Sequence, residues 1–134
     1  MRYGTPPSLD DILELAETAL SAIPQELRNL VGGTVMAVEE APDDEILAEM
    51  GMESPWELTG LYRGTPLTQK SVLDVPTEPD TIVLFREPIL LEWIETGEDL
   101  FRLVRNVIIH EVGHHFGFSD GEIARLEGEG DEAG

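Results

Sequence analysis

His110-Glu111-Val112-Gly113-His114-His115-Phe116-Gly117-Phe118-Ser119-Asp120 contains all three histidines of the chain. Read as the end of a helix, this run sets His110 and His114 four residues apart, so they project from one face a turn apart. Two imidazoles in that relation can reach one ion at about 2.0–2.1 Å. Glu111 follows the first of them and fits a general base acting on a water that the ion activates. Gly117 lets the chain turn off the helix, and Asp120 can then return as a third, oxygen donor. Two histidines and one carboxylate leave a position open for water, which marks a catalytic zinc site rather than a structural one. The spacing therefore predicts one zinc ion per chain, held by His110, His114 and Asp120, with Glu111 as the base.

Plainer readings compete at two of these positions. A bare HExxH also occurs by chance in proteins that bind no metal. Here Gly117, Asp120 and the apolar helix carrying the motif favour the site. Ser119-Asp120-Gly121-Glu122 also matches a capping box, in which Asp120 is a first-turn acid favoured by the helix dipole; one residue can serve both ends. His115 points about 100° away from His114 and reads as a packing or supporting histidine. Tyr62 is a candidate for stabilising an oxyanion, as is the metal alone. Met36, Met50 and Met52 read as core fillers.

Working back from the motif, the pattern predicts a helix from about Gly97 to Phe116, with Thr96 and Asp99 as its capping signal. Leu100, Leu103, Val104, Val107, Ile108 and Val112 cover most of its circumference, so this helix is buried with one side open to a cleft. Thr81-Ile82-Val83-Leu84-Phe85 is the best strand signal. A loop of about ten residues with Pro88 and Trp93, helical in part, separates the two. Further upstream, residues 68–80 read as a polar, proline-bearing loop and Leu58 to Leu67 as an extended segment with turns. A short helix starts at Pro42-Asp43-Asp44-Glu45 and stops at Gly51. Thr34 to Val38 reads as a strand. Residues 8–30 read as a helix with a Ser8/Asp11 capping box, interrupted at Pro24. Beyond the motif, Ser119 to Glu127 reads as a short terminal helix and residues 128–134 as a frayed tail.

At 134 residues, with 41% hydrophobic content, the chain is read as a single domain over 1–134. With no cysteine, a metal must be held by nitrogen and oxygen. A net charge of −20 repels phosphate backbones and anionic lipid, so neither nucleic acid nor membrane is expected as a partner. No apolar run is long enough to span a bilayer, and the acids from Asp10 to Glu17 break any signal-peptide core, so a cytoplasmic location is expected.

The run His110 to Asp120 resembles the extended HExxHxxGxxH/D signature of metzincin-type zinc peptidases, in its aspartate form. That likeness implies zinc on His110, His114 and Asp120 and catalysis by Glu111. Every methionine precedes the motif, so the methionine turn of full metzincins has no counterpart here. The chain is more similar to small bacterial zincin-like metallopeptidases, the minimal zincins. The likeness runs through Leu61-Tyr62-Arg63-Gly64-Thr65-Pro66-Leu67-Thr68, Ile82-Val83-Leu84-Phe85-Arg86 and the motif helix. It implies an α+β zincin-like fold, a small mixed sheet covered by helices with a buried active-site helix, and a peptidase acting on peptide or protein substrates. It also implies that Thr81–Phe85 lies close to the metal cleft, where an extended substrate could pair with an exposed sheet edge. Two other functions compete: a zinc-dependent interaction module without catalysis, and an RNA-processing zinc hydrolase. The latter class lacks a Glu after its first His, whereas Glu111 is present, and the charge opposes RNA.

Overall fold

The computed structural model describes residues 5–64 and 80–133. Most of the polar loop read over 68–80, and positions 65–68 of the family likeness, lie outside them. The fold is α+β: among the described residues, a three-stranded mixed sheet with six α-helices.

Helix α1 (Leu9–Leu20) opens on the expected capping box: Ser8 Oγ accepts from Asp11 N at 3.1 Å while Asp11 Oδ2 accepts from Ser8 N at 2.9 Å. Two orphan donors are thereby satisfied, and such a cap contributes about 1 kcal/mol. Pro24 then breaks the helix and starts α2 (Gln25–Arg28), because its ring cannot continue the ladder. Strand β1 (Val35–Glu39) follows. Asp43 caps α3 (Asp44–Met50), and Gly51 ends it at φ 67°, a conformation that only glycine adopts without strain. A 3-10 turn (Pro55–Glu57) leads into β2 (Gly60–Arg63), and β3 (Thr81–Phe85) completes the sheet.

Strand β3 occupies the centre of the order β1-β3-β2, parallel to β1 (Val35 opposite Thr81) and antiparallel to β2 (Tyr62 opposite Ile82). Its residues alternate between two cores. Ile82 and Leu84 pack with Ile12, Ala16 and Ala19 of α1 and with the apolar face of α5, whereas Val83 and Phe85 pack with Ile46 and Leu58. A strand buried on both faces reads as a continuous apolar run, and that is why it gave the strongest strand signal. The expectation that this strand borders the cleft needs correction. The edge there is β2, whose Gly60-Leu61-Tyr62-Arg63 has the weaker, mixed composition of an edge.

Two further boundaries differ from the sequence reading. The segment after β3 is helical throughout, as α4 (Arg86–Thr96). Pro88 sits in its first turn, where the missing N–H has no intrahelical partner to lose. The motif helix α5 (Leu100–His115) begins later than expected. Thr96 closes α4 by donating to Glu92 O at 2.8 Å, and Asp99 alone caps α5, accepting from Arg102 N at 3.1 Å. Leu100, Val104, Ile108, Ile109 and Val112 are fully buried, each contributing about 1.5–3 kcal/mol, so packing holds this helix far more than its cap does. Helix α6 (Asp120–Ala133) runs into the stretch read as a frayed tail. Once nucleated at Ser119 and docked through Ile123 and Leu126, each added residue gains a bond without a new nucleation cost.

Candidate metal centre and cleft

The motif sits where α5 ends and α6 begins, and local hydrogen bonds fix that corner. Phe118 N donates to Gly113 O at 2.8 Å and Gly117 N to His114 O at 3.2 Å, with Gly117 at φ 82°. This is a Schellman closure, which needs a residue in the left-handed region. Ser119 and Glu122 then exchange a reciprocal cap: Glu122 N to Ser119 Oγ at 3.1 Å, and Ser119 N to Glu122 Oε1 at 3.0 Å. Those bonds hold the Glu122 carboxyl below its ordinary pKa. Glu122 is thus committed to the helix start, and Asp120 is left at the first helical position with its side chain in solvent.

On this frame His110 and His114 face one another, ring centroids 4.3 Å apart. His114 Nε2 lies 3.3 Å from Asp120 Oδ1, and His110 Nδ1 lies 3.9 Å from Glu127 Oε1. Among the described residues no three His, Asp or Glu side chains are already gathered closely enough to hold an ion together. Burial lowers the pKa of His110, with a smaller contribution from His114 in the same direction. Burial likewise pushes the Glu111 carboxyl up to about 7, against a smaller opposing pull from His114. His115 turns away, as its position on the helix requires. It stacks on Tyr62 (centroids 3.8 Å apart, 18° between planes) and meets the edge of Phe116 at 4.9 Å. Tyr62 donates its hydroxyl to Asp80 Oδ2 at 2.9 Å, and burial, reinforced by Asp80, raises its pKa. Its proton is therefore directed at Asp80.

A cleft of about 740 Å³ runs from the histidines along the outer edge of β2. Leu103, Asn106, Val107, His110, Glu111 and His114 of α5 form one wall; residues 58–62, Met50 and Met52 line the other. Strand and helix run the same way, since a Cβ on Gly60 would touch Val107 Cγ1 at 2.8 Å while Tyr62 lies on His115. Met50 and Met52 line this cleft rather than only filling a core. Glu127 and Asn106 were not singled out from the sequence. Glu127 lies seven residues after Asp120, two helical turns along one face of α6, and Asn106 stands four before His110; helical spacing is the signal that could have found both.

The sequence model of the zincin-like metallopeptidase family matches residues 31–129. The chain belongs to the zincin-like metallopeptidases. No curated protein matches it. The matched span holds the sheet, the cleft and the whole motif corner, and leaves α1 outside. Zincin-like metallopeptidases generally bind zinc, and membership suggests a zinc-dependent hydrolase. No helix among the described residues is long and apolar enough to cross a membrane.

Proposed function

We propose that this zincin-like metallopeptidase hydrolyses peptide bonds with one zinc ion held by His110, His114 and Asp120, and with Glu111 as general base. The observation that carries the reading is the 3.3 Å between His114 Nε2 and Asp120 Oδ1. Two donors each about 2.0–2.1 Å from one ion at a tetrahedral angle stand about 3.3–3.4 Å apart, so this pair already has the spacing that zinc imposes. The donor chemistry fits as well, with nitrogen and carboxylate oxygen in a chain without cysteine.

When bound, zinc supplies Lewis acidity, polarising the scissile carbonyl and easing the deprotonation of water. The rest is done by the chain. Glu111 accepts the proton of the attacking water and delivers it to the leaving amine, a two-way transfer open to a carboxylate that lines the cleft between the two histidines' positions on α5. The edge of β2 that pairs with no strand among the described residues offers backbone groups to an extended substrate, and the parallel course of β2 and α5 keeps that substrate beside Glu111. The substrate is a peptide or an exposed protein segment. Nucleic acid is disfavoured by the charge of −20.

A peptide-library digest with zinc-loaded wild type beside Glu111→Gln tests this. Glu111→Gln should keep its zinc and lose about 10²–10⁴-fold in rate, because a carboxamide cannot accept the proton. His110→Ala and His114→Ala should lose the metal. Wild-type rates in Glu111→Gln would remove it as the base, and a wild type that cleaves nothing would favour a non-catalytic zinc module.

A further inference from the structure

Deepening the peptidase reading, on which it rests, we propose that the cleft takes cationic substrates: unfolded segments carrying a lysine or arginine about three to five residues from the cut. The cleft is longer than the histidine pair requires. It follows α5 back from His110 past Val107 and Leu103 to Glu98, just ahead of the helix. At 1.5 Å per residue that path is roughly 15–18 Å. An extended chain rises about 3.3 Å per residue, so Glu98 stands about five residues along a substrate from the point of cleavage. A long side chain leaning towards it shortens that count.

At this far end Glu98 is joined by Glu92 of α4 and Glu57 of the 3-10 turn, both lining the same cleft. Glu92 is partly buried, and its carboxyl is raised first by that burial and then by repulsion from Glu98 and Glu95. Among the described residues no lysine or arginine lines the cleft. Two of the arginines are engaged elsewhere: Arg86 with Pro7 O and Glu40, and Arg125 with Glu26. Met52, Leu58, Leu61, Leu103 and Val107 line the same cleft, Leu103 and Val107 on the stretch of α5 between Glu98 and His110. Apolar walls lower the local dielectric and strengthen each charge pair. An anionic segment would therefore be repelled along the groove, and a cationic one would relieve a repulsion already present.

The test uses zinc-loaded protein at low ionic strength and one peptide core bearing Lys, Gln or Glu at the third to fifth positions on either side of the cut. The Lys peptide should exceed the Gln peptide in kcat/KM by roughly fivefold, with the Glu peptide lowest. Glu92→Gln/Glu98→Gln should raise KM for the Lys peptide by roughly fivefold at unchanged kcat. Glu14→Gln/Glu17→Gln, which removes the same charge from the exposed face of α1, should stay within about twofold. Equal cleavage of Lys and Glu peptides, or an equal loss in the α1 control, would overturn the proposal while leaving the peptidase reading intact. If wild type cuts nothing, the peptidase reading fails. Fluorescence anisotropy with the same peptides then decides the inference: Lys-peptide affinity that depends on Glu92 and Glu98 upholds it, and affinity that does not overturns it.

Discussion

Asp120 is placed by its neighbours rather than by its own contacts. Its side chain is 94% exposed, and an ion pair with so exposed a carboxylate adds little to stability. What the position has is proximity to His114, guaranteed by the Schellman turn behind it and the Ser119–Glu122 cap around it. Two carboxylates two residues apart should therefore fail differently. Asp120→Ala should keep its fold and weaken zinc binding by about 100-fold or more, read by elemental analysis and chelator competition. Glu122→Ala should remain zinc-replete and melt slightly lower. The reverse pattern would exchange their roles. The Ser119–Glu122 cap was legible in the sequence, because Ser119-x-x-Glu122 is a local pattern with only two residues between its partners. The stacking of His115 on Tyr62 was not, since it joins a helix to a strand more than fifty positions away and no local spacing encodes it.

The α5–α6 corner behaves as one piece because the two helices touch where the motif glycine permits it. A Cβ on Gly113 would stand 2.6 Å from Ile123 Cγ1, well inside contact distance. Gly113→Ala would gain up to about 1 kcal/mol in helix propensity but would drive α6 away from α5, an overpacking cost of about 1–3 kcal/mol. The clash should win. We expect Gly113→Ala to be destabilised by about 1 kcal/mol in urea and to bind zinc more weakly, with partial recovery in Gly113→Ala/Ile123→Ala, where the obstructing atoms are gone. A more stable Gly113→Ala would show that the helices can slide apart at no cost. Elements with strong periodicity or capping were read correctly: α1, α3, β1, β3 and the body of α5. Helix α4 was read only in part, because its apolar residues do not gather on one face and no polar side chain caps it. The order of strands was not encoded locally either. The apolar run of β3 announced burial, but only pairing with β1 and β2 reveals that burial means the centre of the sheet.

Across the whole molecule, 28 acidic residues stand against 8 basic ones, so the folded state carries substantial self-repulsion. Raising salt shortens the Debye length from about 20 Å in tens of millimolar to a few ångströms near 1 M, screening that repulsion. At constant zinc loading the melting temperature should rise by about 3–6 °C between roughly 20 mM and 500 mM sodium chloride, as expected if screening recovers about 1 kcal/mol. A flat or falling melting curve would mean that attractive pairs such as Arg86–Glu40 outweigh the repulsion. The topology also orders the assembly of the chain in time. The hydrogen bonds that close the motif corner all lie between Gly113 and Ile123, whereas the parallel β1–β3 ladder must bring Val35 to Thr81. Loops of about ten residues close in tens of nanoseconds, and distant pairings wait on a larger loss of chain entropy. In pulse-labelled refolding the amide of Phe118 should thus gain protection before that of Val35. The donors proposed for the metal would then be neighbours before there is a sheet to shelter them, so a zinc ion held by them would act as a template for the folding chain.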